Sequence, residues 1–211
     1  MIGYSEDFLS RIDTPVLNKF STSYFLDLVF DVPHLRQFIG RTIGLEPYKV
    51  ARVAFTTGFV QLSLTEPLPL SFGMMCHGID VKVRAISLVC GQLSPFLSLV
   101  ERLDLTADYW PSKPHEEDDT VSSRFVVLFL PFTAIRSLHV SEGLIPFIAL
   151  ALQQLVGERA TEVLPNLRDL FMEGSKTPRT VRRVMQPFLT ARRLSGQPVA
   201  VRHWEGSTAD Q

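Results

Sequence analysis

Five histidines, His34, His77, His115, His139 and His203, two cysteines, Cys76 and Cys90, and a run of four acids, Glu116 to Asp119, are the side chains of this 211-residue chain best suited to metal or acid–base chemistry. A structural zinc site needs close pairs of Cys or His. No two histidines here have that spacing, and the cysteines stand 14 positions apart in apolar surroundings. Buried free thiols are therefore expected rather than a disulfide, which favours a reducing compartment. The acidic run offers oxygens to a hard cation. Its carboxylates diverge, however, in a proline-flanked loop without the spacing and glycine of an EF-hand. No phosphate-cradling GxxxxGK[ST], no GxGxxG after a strand, no GxSxG elbow and no HExxH is present. These residues point to no catalytic group, no metal and no cofactor.

What remains are surfaces that touch a partner. His139 lies between Leu138 and Val140 in an alternating segment, so its imidazole is expected on the face opposite the core, as a contact or pH-sensitive group. The same parity exposes Arg102, Asp104, Ser137, Asp169 and Phe171, and charged groups beside an uncovered aromatic suit protein recognition. After Thr177 and Pro178, a turn of about 100° per residue gathers Arg179, Arg182, Arg183 and Arg193 with Gln186 and Thr190 on one side. Val181, Val184 and Phe188 fall on the other side. That basic face fits an acidic peptide or a phosphate. Equally, it fits a charged surface that keeps the end of an array in solution.

The elements that position these residues are read from hydrophobic period. VERLDL (100–105), IRSLHV (135–140) and LRDLFM (167–172) share one frame: apolar, two gaps, apolar, one gap, apolar. FLDLVF (25–30), VARVAF (50–55) and VRAISL (83–88) fit it loosely. Between them run helical stripes: Leu35, Phe38 and Ile39; Phe125, Leu128, Phe129 and Phe132, capped by Ser122 or Ser123; and Ile145, Ile148, Leu152 and Leu155, with Pro146 in the first turn. The helix after Thr177 carries Pro187, which is expected to bend or interrupt it. FVQLSL (59–64) forms a hairpin with the preceding strand through Thr56 to Gly58, PLPLSFGMMCHG is an edge or loop, and Ala107 to Asp119 is an exposed loop.

Leu103 to Leu138 is 35 residues and Leu138 to Leu170 is 32. A regular leucine-rich repeat runs at about 20 to 29, with Asn or Cys after the strand. Asp108, Gly143 and Ser175 stand there instead. The expected fold class is therefore α/β, an irregular leucine-rich-repeat-like array of parallel strands backed by helices, with a single doubly wound α/β domain as the alternative. One domain covers 1–205, and 206–211 form a disordered tail.

With 45% hydrophobic residues the chain is able to bury a large core. Its 21 Lys and Arg against 22 Asp and Glu leave a net charge of -1, so no nucleic-acid partner is expected. The N-terminus lacks a secretory pattern. LIPFIALALQQLV (144–156) is shorter than the roughly 20 apolar residues of a membrane span. No membrane association is expected, and the location is cytoplasmic or nuclear.

Taken in order, TPVLNKF, YFLDLVFDVPHLRQFIGRT, LSLVERLDL, PFTAIRSLHVSEG, LQQLVGERATEVLPNLRDLFMEG and ARRLSGQPVAVRHWE resemble the C-terminal part of F-box-like proteins of basidiomycete fungi. The resemblance implies an irregular leucine-rich-repeat fold that holds a protein target without bond chemistry. In complete members an N-terminal F-box docks the Skp adaptor of a cullin-type ubiquitin ligase. Nothing before Phe20 reads as an F-box, so a Skp-type partner is expected only if one lies upstream. The rival readings are a small-molecule enzyme on a doubly wound sheet, which requires His139, Asp104 and Asp108 to converge with a nucleophile, and a truncated family member without independent function.

Overall fold

Leu97, Val100, Leu103 and Leu105 recur as Phe132, Ile135, Leu138 and Val140, and again as Leu164, Leu167, Leu170 and Met172, and each of the twelve is at most 1% exposed. The frame is thus one apolar position longer than its strand-proximal part suggests. Its last two members alternate within a strand, while its first two lie in the turn leading in. The computed structural model describes residues 20–25, 48–65, 69–108, 118–174 and 179–204. The strands are β1 (Phe20–Phe25), β2 (Val50–Phe55), β3 (Phe59–Leu64), β4 (Leu70–Met75), β5 (Arg102–Ala107), β6 (Ser137–Val140), β7 (Asp169–Glu173) and β8 (Ala200–Trp204). The helices are α1 (Ile79–Gln92), α2 (Ser94–Leu97), α3 (Asp118–Phe129), α4 (Ile145–Gln153), α5 (Arg159–Glu162) and α6 (Arg179–Leu194), with a 3₁₀ turn at Glu142–Leu144.

All eight strands form one sheet in the order β1-β4-β3-β2-β5-β6-β7-β8. The pairings β2–β3 and β3–β4 are antiparallel and the other five are parallel. From β5 onward the strands lie side by side in chain order. The helices that connect them pack in the same sequence, α1 on α3, α3 on α4, and α4 on α6. A helix between two parallel strands returns the chain to the start of the next one. Here the returns form one layer, which shares its core with the inward side chains of the sheet.

The starts of β5, β6 and β7 repeat one hydrogen-bonding device. The Lys49 carbonyl accepts from the N–H groups of Glu101 and Arg102, that of Glu101 from Arg136 and Ser137, and that of Arg136 from Arg168 and Asp169. One turn earlier a side-chain relay runs the same way. Thr133 Oγ1 donates to the Ser98 carbonyl at 3.2 Å, and Asn166 Nδ2 donates to the Thr133 carbonyl at 2.9 Å. Backbone polar groups at the turns need partners, and these contacts supply them unit by unit.

Several expectations change. VRAISL (83–88) lies inside α1, because Val83, Ile86, Val89 and Cys90 form a buried helical stripe that overrides the short strand-like frame. Leu70–Met75 is neither edge nor loop, since it pairs with β3 on one side and β1 on the other. Ser122 and Ser123 lie inside α3 rather than before it, because the helix already begins at Asp118, which also takes Asp118 and Asp119 out of the expected loop, and Ala107 closes β5. α6 runs through Pro187 to Leu194 without a break. FLDLVF beyond Phe25, the helix of Leu35 to Ile39, residues 109–117 and the tail lie outside the described residues. The hairpin at Thr56 to Gly58 forms as read, with the Thr56 N–H donating to the Phe59 carbonyl at 2.9 Å. Cys76 and Cys90 are both buried and free. No helix among the described residues is long and apolar enough to cross a membrane.

Candidate functional site

Because Leu103, Leu138 and Leu170 face the helices in register, the residues that follow them face away together. Asp104 pairs with His139, His139 with Phe171, and Phe171 with Arg202, while Arg52 of β2 stands opposite Asp104. Five adjacent strands thus contribute one row, Arg52, Asp104, His139, Phe171 and Arg202, on the face that carries no helix among the described residues. The rows beside it carry Arg102, Ser137 and Asp169 on one side and Glu173 and Trp204 on the other.

The centre of the row is aromatic. The His139 imidazole stacks on the Phe171 ring with centroids 4.3 Å apart and planes 21° apart, and Trp204 meets His139 edge-on at 5.3 Å and 77°. An ion pair brackets each end: Arg102 Nε donates to Asp104 Oδ1 at 2.7 Å, and Arg202 Nε donates to Asp169 Oδ1 at 2.7 Å. The Arg102 and Arg202 side chains are 42% and 59% exposed, so each keeps donors for a second acceptor. Two polar atoms at the centre, His139 Nδ1 and Trp204 Nε1, are covered and have no hydrogen-bond partner among the described residues. A buried unpaired polar atom costs about 1–3 kcal/mol, so the cluster stores a small amount of unused hydrogen-bonding capacity.

Of the expected contact residues, Arg102, His139, Asp169 and Phe171 lie on this face and come together. Asp104 is corrected: it lies on the face but is only 4% exposed, its carboxylate held by Arg102 Nε at 2.7 Å. It supports the surface rather than reaching out from it. Arg202 and Trp204 belong to the cluster without having been expected, since β8 lacks the apolar lead-in that announces β5, β6 and β7. Arg179, Arg182, Arg183 and Arg193 are all exposed along α6. It belongs to the helix layer, away from the aromatic cluster. The three groups of the enzymatic rival separate in part: Asp104 and His139 are paired in register, whereas Asp108 lies past the end of β5. No group of three or more Cys, His, Asp or Glu among the described residues is placed to hold a metal.

The environment of His139 gives its charge a sign. Burial, and after it the Arg102 guanidinium, push its pKa below the ordinary histidine value, while Asp104 pulls it up. In the unfolded chain the imidazole titrates near its free value of about 6.5, so at lower pH the unfolded state takes up the proton first. The stability held by neutral His139 is complete above that value and is lost as pH falls from there through the folded pKa. Urea unfolding at pH 7.5 and pH 5.5 should therefore show a larger loss for the wild type than for His139→Gln. Equal losses would mean that His139 is not the group responsible. Comparison of the chain with protein-family models, with curated proteins and with solved structures finds no match.

Proposed function

We propose that this chain is a non-enzymatic protein-recognition module, a leucine-rich-repeat-like array related to the target-binding part of F-box proteins. Its partner is held on the open sheet face around His139, Phe171, Trp204 and Arg202. The observation that carries this reading is the face itself: the described helices pack on one side of the sheet, and the other presents an aromatic stack between two exposed arginines. Aromatic and Arg side chains dominate the energetics of protein interfaces. The array reading is supported by the four-position apolar frame that recurs three times, by the carbonyl device at the starts of β5, β6 and β7, and by strands and helices that advance in chain order from β5 onward. A doubly wound domain alternates its helices between faces, whereas the helices joining β5 to β8 pack successively on one another.

Within a ubiquitin ligase the transfer chemistry would belong to partners, and a Skp-type adaptor would bind only through an upstream F-box. The site is tested by quantitative affinity purification from native lysate, comparing the wild type with Phe171→Ala/Arg202→Glu. Proteins held by this face should fall roughly tenfold in the variant, with its thermal midpoint little changed. An identical set of captured proteins at identical abundance would place recognition elsewhere on the chain.

A further inference from the structure

The second surface is on α6. This helix carries five arginines and no acid. Arg192 is buried, and the other four are exposed and form no ion pair among the described residues. At the helical spacing Arg182, Gln186, Leu189 and Arg193 fall on one ridge of α6. Beside the C-terminal half of that ridge the chain turns back through Pro198 and Val199, leaving a groove of about 530 Å³ lined by Gln186, Leu189, Thr190, Arg193, Leu194, Pro198 and Val199. Leu194 stands at its rim, 83% exposed. The apolar side chains of Leu189, Leu194, Pro198 and Val199 therefore lie beside the Arg193 guanidinium, with Arg182 farther along the same ridge.

We propose that this groove docks an acidic linear segment of a partner protein, with one apolar side chain seated over Leu189 and Val199 and carboxylates on either side paired with Arg182 and Arg193. This site is separate from the open sheet face and does not depend on it. Charge complementarity names the occupant, because four unpaired guanidinium groups on one helix face attract carboxylates, which they bind with two parallel hydrogen bonds. The ridge also sets a spacing. Arg182 and Arg193 are eleven residues apart, about 16 Å along a helix. An extended chain covers that distance in roughly five residues at about 3.3 Å each. The fitting segment thus has acids about five positions apart with an apolar residue between them. A bilayer is a poorer fit: a membrane-surface helix inserts its apolar stripe into lipid, whereas Val181, Met185 and Phe188 of α6 are already buried in the protein core.

The test is fluorescence anisotropy of the full chain with two labelled dodecapeptides, one with four carboxylates around a central leucine and one with serine in place of that leucine. Binding of the leucine peptide should weaken roughly tenfold in Arg182→Glu/Arg193→Glu, with the charge-neutral Arg182→Gln/Arg193→Gln in between. Arg84→Glu on α1 should leave it unchanged. The serine peptide should bind roughly fivefold more weakly, since one apolar side chain loses its burial. Equal affinity of the two peptides would overturn the proposal, as would an Arg84→Glu effect as large as the double reversal or no binding of either peptide. So would preferential capture of the chain by vesicles of phosphatidylserine and phosphatidylcholine. Loss of open-face recognition in Phe171→Ala/Arg202→Glu should not alter the peptide affinity, which keeps the two sites distinguishable.

Discussion

Arg192→Met is expected to destabilise the protein by about 3–5 kcal/mol, because it removes the donor set for five backbone carbonyls. The Arg192 side chain is among the largest fully buried ones, at 1% exposure. Its Nε donates to the Gln197 carbonyl at 3.2 Å, Nη1 to those of Ala160 and Leu164 at 3.1 and 3.4 Å, and Nη2 to those of Pro165 and Leu167 at 3.2 and 2.8 Å. The guanidinium has five N–H groups in a fixed fork, and each carbonyl here matches one direction of it. Burial lowers the pKa of the group, but an arginine starts so high that it keeps its charge. The loop it fastens is strained: Leu164 has φ of 52°, a left-handed conformation that costs a leucine about 1–2 kcal/mol. Arg192 holds that carbonyl while the Leu164 side chain fills the first apolar position of its frame. Urea denaturation should rank wild type above Arg192→Lys above Arg192→Met, since an ammonium supplies fewer and differently directed donors. A Met variant within 1 kcal/mol of wild type, a margin well below the usual cost of stranding a buried acceptor, would mean that water replaces the fork at little cost.

The second large effect separates the two faces of the sheet. Leu138→Ala should cost about 2–5 kcal/mol, the usual range for truncating a buried leucine. It lies between Leu103 and Leu170 in register, fully buried at the middle of the parallel strands. His139→Ala, one residue on, should cost less than about 1 kcal/mol, as a substitution away from the core does. Removing the imidazole loses the stack on Phe171 but also removes one unpaired polar atom. Comparable losses at the two positions would contradict the one-sided sheet.

The parallel half of the fold is legible in the sequence because each of its units is announced by an apolar frame of fixed spacing. Where the frame is broken, reading fails for a physical reason. β8 has Ser195 and Pro198 at the positions equivalent to Leu164 and Leu167 of the preceding unit, counted back from the register partners Ala200 and Asp169. Arg202 and Trp204 therefore escape notice, although both complete the aromatic cluster. VRAISL misleads because a six-residue strand frame also fits two turns of a helix, and only the fourteen-residue length of α1 decides between them. β4 is obscured by a glycine and by serine and methionine, which alternate weakly. Arg192 did leave a signal: its helical angle puts it in the stripe of Val181, Met185 and Phe188 rather than with Arg193. Composition has no way to distinguish those two arginines, whereas the period does.

The most direct test of the central claim is thiol accessibility on the full chain. Ser137→Cys, Thr106→Cys and Glu173→Cys each add one sulfur to the face opposite the described helices, while Cys76 and Cys90 remain as buried references. The account predicts that each added thiol reacts with a polar maleimide at the rate of an exposed cysteine and that both native thiols stay unmodified until the protein unfolds. Protection of all three added thiols to the level of Cys90 would show that the face is covered, and a partner would have no open sheet to bind.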